Sequence, residues 1–327
     1  MRSFARLLAI PMIAACLMFN NLPQNAATAA VTSTDARMHL GSSEVPVRQW
    51  SDGSSKPKAI IVAVHGALRS SGTFKPLAEQ LAANGYLVVS ADLRGHGDWY
   101  FCAKNAQEKI VDYDESAQDL VNLFKAMRNE HPLTPIFCMG ESAGGIVALQ
   151  AAGQFPTING LILSSIGTRP CIHDVQNIVR DFFLGLAHFD QPLDVRETMA
   201  KYASDDPQTA KDAASDPMLK PGLSAREMLR TARLLNQANG LAAKLPDHIP
   251  VLLLQGKKDE IVMPSSAMHV LKLISSKDKS LAEFPYGHIL LSTPHLKTDV
   301  VSTVTDWLNE KTTEQKTAMA NTGSVKN

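Results

Sequence analysis

Apolar residues recur along this chain in short runs at 59–64 (AIIVAV), 86–91 (YLVVSA), 135–139 (PIFCM), 160–165 (GLILSS) and 251–255 (VLLLQ). Runs of this length with β-branched content read as strands buried on both faces. Between the first four lie amphipathic stretches. FKPLAEQLAANG covers 74–85, SAQDLVNLFKAMRNE covers 116–130 with Leu120, Val121, Phe124 and Met127 on one stripe, and AGGIVALQAAGQF covers 143–155. Strand and helix in alternation predict a largely parallel sheet with helices on both faces, and such a sheet binds ligands at the carboxyl ends of its strands. Ahead of the first run, RMHLGSSEVPVRQW predicts an antiparallel hairpin at the sheet edge, turning at Gly41-Ser42-Ser43.

The rhythm lapses between about 167 and 246, where several helices are expected. The clearest begins at Ser224, which with Glu227 has capping-box spacing. Met228, Ala232, Leu235, Ala242 and Leu245 follow as a stripe facing away from Arg226, Arg230 and Arg233. Two readings of this insertion stand side by side: a helix packed on the core by that stripe, or a cap over the active edge whose apolar face lines a pocket. After Pro250 come a strand, a helix at 265–277, a short strand near AEFPY and a helix at 300–311. The polar tail 312–327 reads as disordered. The organisation is therefore a leader at 1–30, a core at 31–169, a helical cap at 170–245, the remainder of the core at 246–311 and the tail.

The leader changes the setting. Arg2 and Arg6 precede a thirteen-residue apolar run at 7–19, and the small residues NAATAA follow at 25–30. This is the pattern of a secretory signal peptide, and the run is too short for a membrane-spanning helix of about twenty residues. The expectation is export, to a periplasm or beyond, with no transmembrane segment in the mature chain. The alternative is a lipoprotein anchored at Cys16. The whole chain balances 32 basic against 32 acidic residues, and loss of the leader leaves 30 against 32, which offers nucleic acid nothing to bind. Cys102, Cys138 and Cys171 remain. Cys138 sits in an apolar strand as a buried thiol, which leaves Cys102 and Cys171 as the candidate disulfide of an oxidising compartment. No metal-ligand spacing or phosphate-cradling glycine loop appears, so no metal or cofactor is expected.

Gly140-Glu141-Ser142-Ala143-Gly144 fits G-x-S-x-G between a strand and a helix, the context that gives the motif its chemistry. The serine must sit on a strained turn, and its neighbours two before and two after must be small because their backbones come close. The following helix aims free amides at a developing oxyanion. A serine needs a base, and the base an orienting acid. Asp259 in QGKKDEIV lies just past a strand end, and His288 in FPYGHILL lies past the next, with His295 and Glu260 as their rivals. The order Ser, Asp, His suits the motif. In AVHGALRSSG, Gly66 lets the Ala67 amide face the site opposite that of Ala143, and His65 braces the loop.

HGALRSSG, DLRGHGD, GESAGG, GKKDEIV and YGHILL together resemble the α/β-hydrolase superfamily, in its monoacylglycerol lipase and lysophospholipase branch, over about residues 56–310. The resemblance implies a mostly parallel sheet of about eight strands flanked by helices, with a helical cap. It implies Ser142 as nucleophile, Asp259 as orienting acid, His288 as base and Ala67 with Ala143 as oxyanion donors. It also implies a small-molecule or lipid-like ester substrate and transient membrane-surface contact through the cap. The branch carries His before the serine and Met after it, whereas this chain has Glu141 and Ala143, so ester hydrolysis is better supported than monoacylglycerol as substrate. Amide or aminopeptidase cleavage by the same triad, and non-catalytic binding on the same fold, are the competing readings.

Overall fold

The computed structural model describes residues 30–171, 180, 183, 189–194 and 201–323. The leader at 1–29, the Cys16 anchor and most of 172–200 lie outside the described residues. Ten strands run β1 (Thr32–Leu40), β2 (Ser43–Ser51), β3 (Ile60–Val64), β4 (Leu87–Ala91), β5 (Ile136–Glu141), β6 (Gly160–Ser164), β7 (Leu193–Asp194), β8 (Gly222–Leu223), β9 (Val251–Gly256) and β10 (Lys279–Phe284). Eight of them form one sheet in the order β1-β2-β4-β3-β5-β6-β9-β10, and β7 pairs with β8 apart from it. From β4 to β10 every pairing in the large sheet is parallel. The expected hairpin is its antiparallel edge, with Leu40 paired to Ser43 across Gly41 and Ser42.

Eight helices accompany the strands among the described residues: α1 (Lys75–Ala83), α2 (Gly97–Phe101), α3 (Tyr113–Glu130), α4 (Ala143–Gln154), α5 (Pro207–Ser215), α6 (Ala225–Lys244), α7 (Pro264–Leu273) and α8 (Thr298–Gly323). Alternation along the strands divides the core in two. Ile60, Val62, Val64, Cys138, Leu161 and Leu163 face α3, α4, α6 and α7. Ile61, Ala63, Phe137, Met139, Ile162 and Leu254 face α1 and α8. Burial on both faces is what continuous apolar strands of a parallel sheet require.

Three expectations change. On α6 and its C-cap, Ala242 and Leu245 are buried and Leu235 packs on the core as expected, but Leu234 and Ala238 join them, while Ala232 is exposed and Arg230 turns inward to Asp112 at 3.0 Å. The helix belongs to the core cluster with α4, since small side chains at 238 and 242 allow close approach, so the packed-helix reading holds for this part of the insertion. Next, α8 continues to Gly323, because nothing in 312–323 breaks the helix and Lys311 ties its turn to Asp278 at 2.8 Å and to Glu314 at 3.2 Å. The segment expected to be disordered is therefore mostly helical. Finally, Cys102 and Cys171 are not joined. Cys102 is exposed with its thiol towards Asp98 at 3.8 Å, whereas the Cys171 thiol donates to the Asp259 carbonyl at 3.5 Å. Cys138 is buried as expected, and burial pushes its thiol pKa up.

Candidate active site

Ser142 stands between the end of β5 and the start of α4 with φ 57° and ψ −125°, a left-handed backbone for a non-glycine residue. Such strain persists only where the surroundings fix it. Here its N–H donates to the Ser164 carbonyl at 2.8 Å, and its carbonyl accepts from Gly145 at 3.0 Å. The two glycines of the motif are sterically required. A Cβ at Gly140 would sit 2.5 Å from the Gly144 carbonyl oxygen, and one at Gly144 would sit 2.2 Å from the His65 carbonyl oxygen.

The loop after β3 lies against the serine. A Cβ on Gly66 would come 3.2 Å from Ser142 Cβ and 3.8 Å from its Oγ, so Ala67 begins its turn beside the hydroxyl. Among the described residues, no carbonyl accepts from the N–H of Ala67 or of Ala143. The latter opens α4, whose first amides have no partner within the helix. His65 braces this loop as expected: Nδ1 lies 2.8 Å from the Gly66 carbonyl, and Nε2 accepts from the Leu93 N–H at 3.0 Å. Burial lowers its pKa, which keeps it neutral in that role.

Asp259 and His288 meet on the same edge. Past the end of β9, Asp259 accepts from Gln255 Nε2 at 3.1 Å and from the Ile261 and Val262 N–H groups at 2.9 Å each. Past the end of β10, His288 sets Nδ1 2.8 Å from Asp259 Oδ2. Its backbone is pinned too, its carbonyl accepting from Ser165 Oγ at 2.6 Å and the neighbouring Gly287 N–H donating to Asp205 at 2.7 Å. Burial alone would lower the imidazole and raise the carboxyl. The opposite charges at hydrogen-bond distance prevail, holding His288 above the ordinary histidine value and Asp259 below the ordinary aspartate value.

The rivals are engaged elsewhere or face solvent. His295 pairs with Asp212 at 2.7 Å, and Glu260 is exposed. Two contributors went unread in the sequence. Gln255, within a run read only as a strand, holds the acid. Glu141 is 2 % exposed and accepts from the N–H groups of Leu290 and Leu291 at 2.8 Å each, just beyond His288. Among the described residues no group of His, Cys, Asp and Glu is placed to hold a metal ion.

Residues 55–291 match the family model described as serine aminopeptidase, S33. Human monoglyceride lipase is 26 % identical over 287 residues, covering 83 % of this chain and 88 % of that protein. Caffeoylshikimate esterase of Arabidopsis thaliana is 28 % identical over 261 residues, covering 74 % of each. Among solved structures, a soluble variant of the Saccharomyces cerevisiae monoglyceride lipase in complex with a substrate analog superposes with a TM-score of 0.72. It is 19 % identical and covers 90 % of this chain and 98 % of that one.

Proposed function

The chain belongs to the serine aminopeptidase, S33, family of α/β-hydrolases, in its monoglyceride lipase-like branch, and from that premise we propose that it hydrolyses lipid-like carboxylic esters through Ser142, His288 and Asp259. It is a serine ester hydrolase of the lipase and esterase kind. The observation that carries the residue assignment is the His288–Asp259 contact of 2.8 Å on the sheet edge where strained Ser142 also stands.

In this reading the Ser142 Oγ attacks the ester carbonyl carbon while His288 Nε2 takes its proton. Asp259 holds Nδ1–H, fixes the tautomer and stabilises the imidazolium. The N–H groups of Ala67 and Ala143 stabilise the oxyanion. Collapse expels the alkoxide, which leaves as alcohol with the proton from His288. Water then attacks the acyl-enzyme with His288 again as base, releasing the acid and restoring the serine.

The test is hydrolysis of p-nitrophenyl esters from acetyl to palmitoyl. Turnover by the wild type, reduced on the order of a millionfold by Ser142→Ala, is the expected outcome. A loss of less than about tenfold would place the nucleophile elsewhere. The description of the family favours one second reading, cleavage of N-terminal amides by the same residues, and aminoacyl p-nitroanilides decide it. Export rests on the leader pattern alone. N-terminal sequencing of protein from fractionated cells separates cleavage near residue 30 from lipidation at Cys16 and from an intact Met1. Contact of the cap with a membrane surface is supported by the exposed side chains of Phe183, Phe189 and Leu229. No helix among the described residues is long and apolar enough to cross a membrane.

A further inference from the structure

Glu141 is, with Ala143, one of the two positions where this chain departs from the branch it resembles, and the ester chemistry above leaves it without a part. It is the last residue of β5, beside the nucleophile in sequence, and its carboxylate is buried. Oε1 accepts from the N–H groups of Leu290 and Leu291 at 2.8 Å and from Ser164 Oγ at 3.4 Å. Oε2 accepts from the Ser292 N–H at 3.3 Å and, in a short contact, from its hydroxyl. Five donors thus converge on a side chain whose two oxygens have about four lone-pair sites. Bonds from N–H and O–H groups to a carboxylate are about twice as strong as neutral ones. A histidine here has at most one acceptor nitrogen and cannot replace them.

Four of those five donors belong to Leu290, Leu291 and Ser292, two, three and four residues beyond His288. The turn that carries the base is therefore fastened to the strand that carries the nucleophile. We propose that Glu141 is a positioning residue for His288: it anchors the 288–292 turn and adds a second buried carboxylate, with Asp259, to the surroundings of the imidazole. The inference rests on the triad reading above.

The charged groups around His288 come from four places. Asp259 follows β9 and is bonded to the ring. Glu141 ends β5. Asp205, before α5, holds the Gly287 N–H and is itself paired with Lys258 at 2.9 Å. Arg69, in the loop after β3, donates to the Ser292 carbonyl at 2.6 Å, and the Glu141 charge reaches its guanidinium. Burial opposes the imidazolium, Asp259 favours it most, and Glu141 adds to Asp259 in the same direction. Removing the Glu141 charge should then lower the pH at which His288 takes up its proton.

The experiment is an NMR titration of the His288 ring, alongside kcat/KM against pH on p-nitrophenyl butyrate, for wild type, Glu141→Gln and Glu141→Asp. In E141Q the His288 midpoint and the acid limb of kcat/KM should both move to lower pH, with kcat down about tenfold. E141D keeps the charge but shortens the reach, so the midpoint should stay while kcat falls about threefold or more. Equal midpoints in wild type and E141Q would overturn the proposal. If E141Q does not fold, E141D decides: an unchanged kcat would refute the positioning role. The titration needs no turnover, so a wild type without Ser142-dependent activity would sink the triad reading while still yielding the Glu141 result.

Discussion

The Asp259 carboxylate accepts four hydrogen bonds, of which only the one to His288 bears on the proposed reaction. The Ile261 and Val262 N–H groups hold Oδ1, whereas Oδ2 accepts from both Gln255 and His288. Asp259→Asn should therefore keep the Oδ1 bonds while its amide NH2 faces the Gln255 donor and offers Nδ1 the wrong hydrogen-bonding partner. The expected cost is about 10⁴-fold in kcat, measured on protein shown by circular dichroism to be folded. The pH profile follows from the same contact. As the proposed base His288 must be neutral, and its pKa is held above the ordinary value of about 6.5. Activity should thus be full above that raised value and be lost as the pH falls through it. In D259N the acid limb should move to lower pH, since the charge that favoured the imidazolium is gone. The residues of this site were legible because each sits in a short motif whose spacing has a mechanical cause, such as the close approach at Gly140 and Gly144. Glu141 was legible only as a departure, since its partners lie about 150 residues away and no local pattern announces them.

At the scale of elements, legibility differed between helices. Helix α6 starts after Ser224 as its capping box predicts, though its buried face differs in part, whereas α3 shows the expected face with a different start. The stripe Leu120, Val121, Phe124 and Met127 is buried as expected, yet α3 begins at Tyr113, ahead of the expected 116. The reason is Asp112, whose side chain accepts from the Glu115 N–H at 3.1 Å and also pairs with Arg230 of α6 at 3.0 Å. Asp112→Ala should cost about 1 kcal/mol or somewhat more in urea unfolding. Asp112→Asn keeps a capping oxygen and drops the charge, so it should recover most of that loss. Equal losses in the two variants would show that the ion pair outweighs the cap. The shift in the α6 stripe has a similar cause. Ala238 and Ala242 are unremarkable as hydrophobic residues, and only the neighbouring helix α4 selects the face they lie on. The strands were the most legible elements, because burial on both faces leaves an uninterrupted apolar run that surface helices cannot imitate.

Across the whole molecule, the segment between β6 and β9 is tied to the core by a charge buried on both sides. Lys220 has no exposed surface, and its Nζ donates to Glu227 at 2.8 Å and to the carbonyls of Gly95 and Lys109 at 3.0 and 2.8 Å. Glu227 in turn caps α6 through the Ser224 N–H and accepts from the Val111 N–H at 2.9 Å. The Lys220 N–H donates to the carbonyl of Leu68, one residue beyond the proposed oxyanion donor Ala67. One lysine therefore joins α6, the loops after β4 and the loop after β3. Removing one partner of such a pair leaves an uncompensated buried charge, at a cost of about 3–5 kcal/mol, whereas replacing both with apolar groups is often near neutral. Because Glu227 keeps two backbone donors, Lys220→Met should lie at the lower end, about 3 kcal/mol in urea unfolding. Lys220→Met with Glu227→Met should recover part of this loss, but not all, since the Val111 and Ser224 N–H groups would then lose their acceptor. A single variant as stable as the wild type would mean that the tie contributes nothing to holding this segment on the core. A double variant less stable than the single would mean that the bonds Glu227 makes to the backbone outweigh the ion pair.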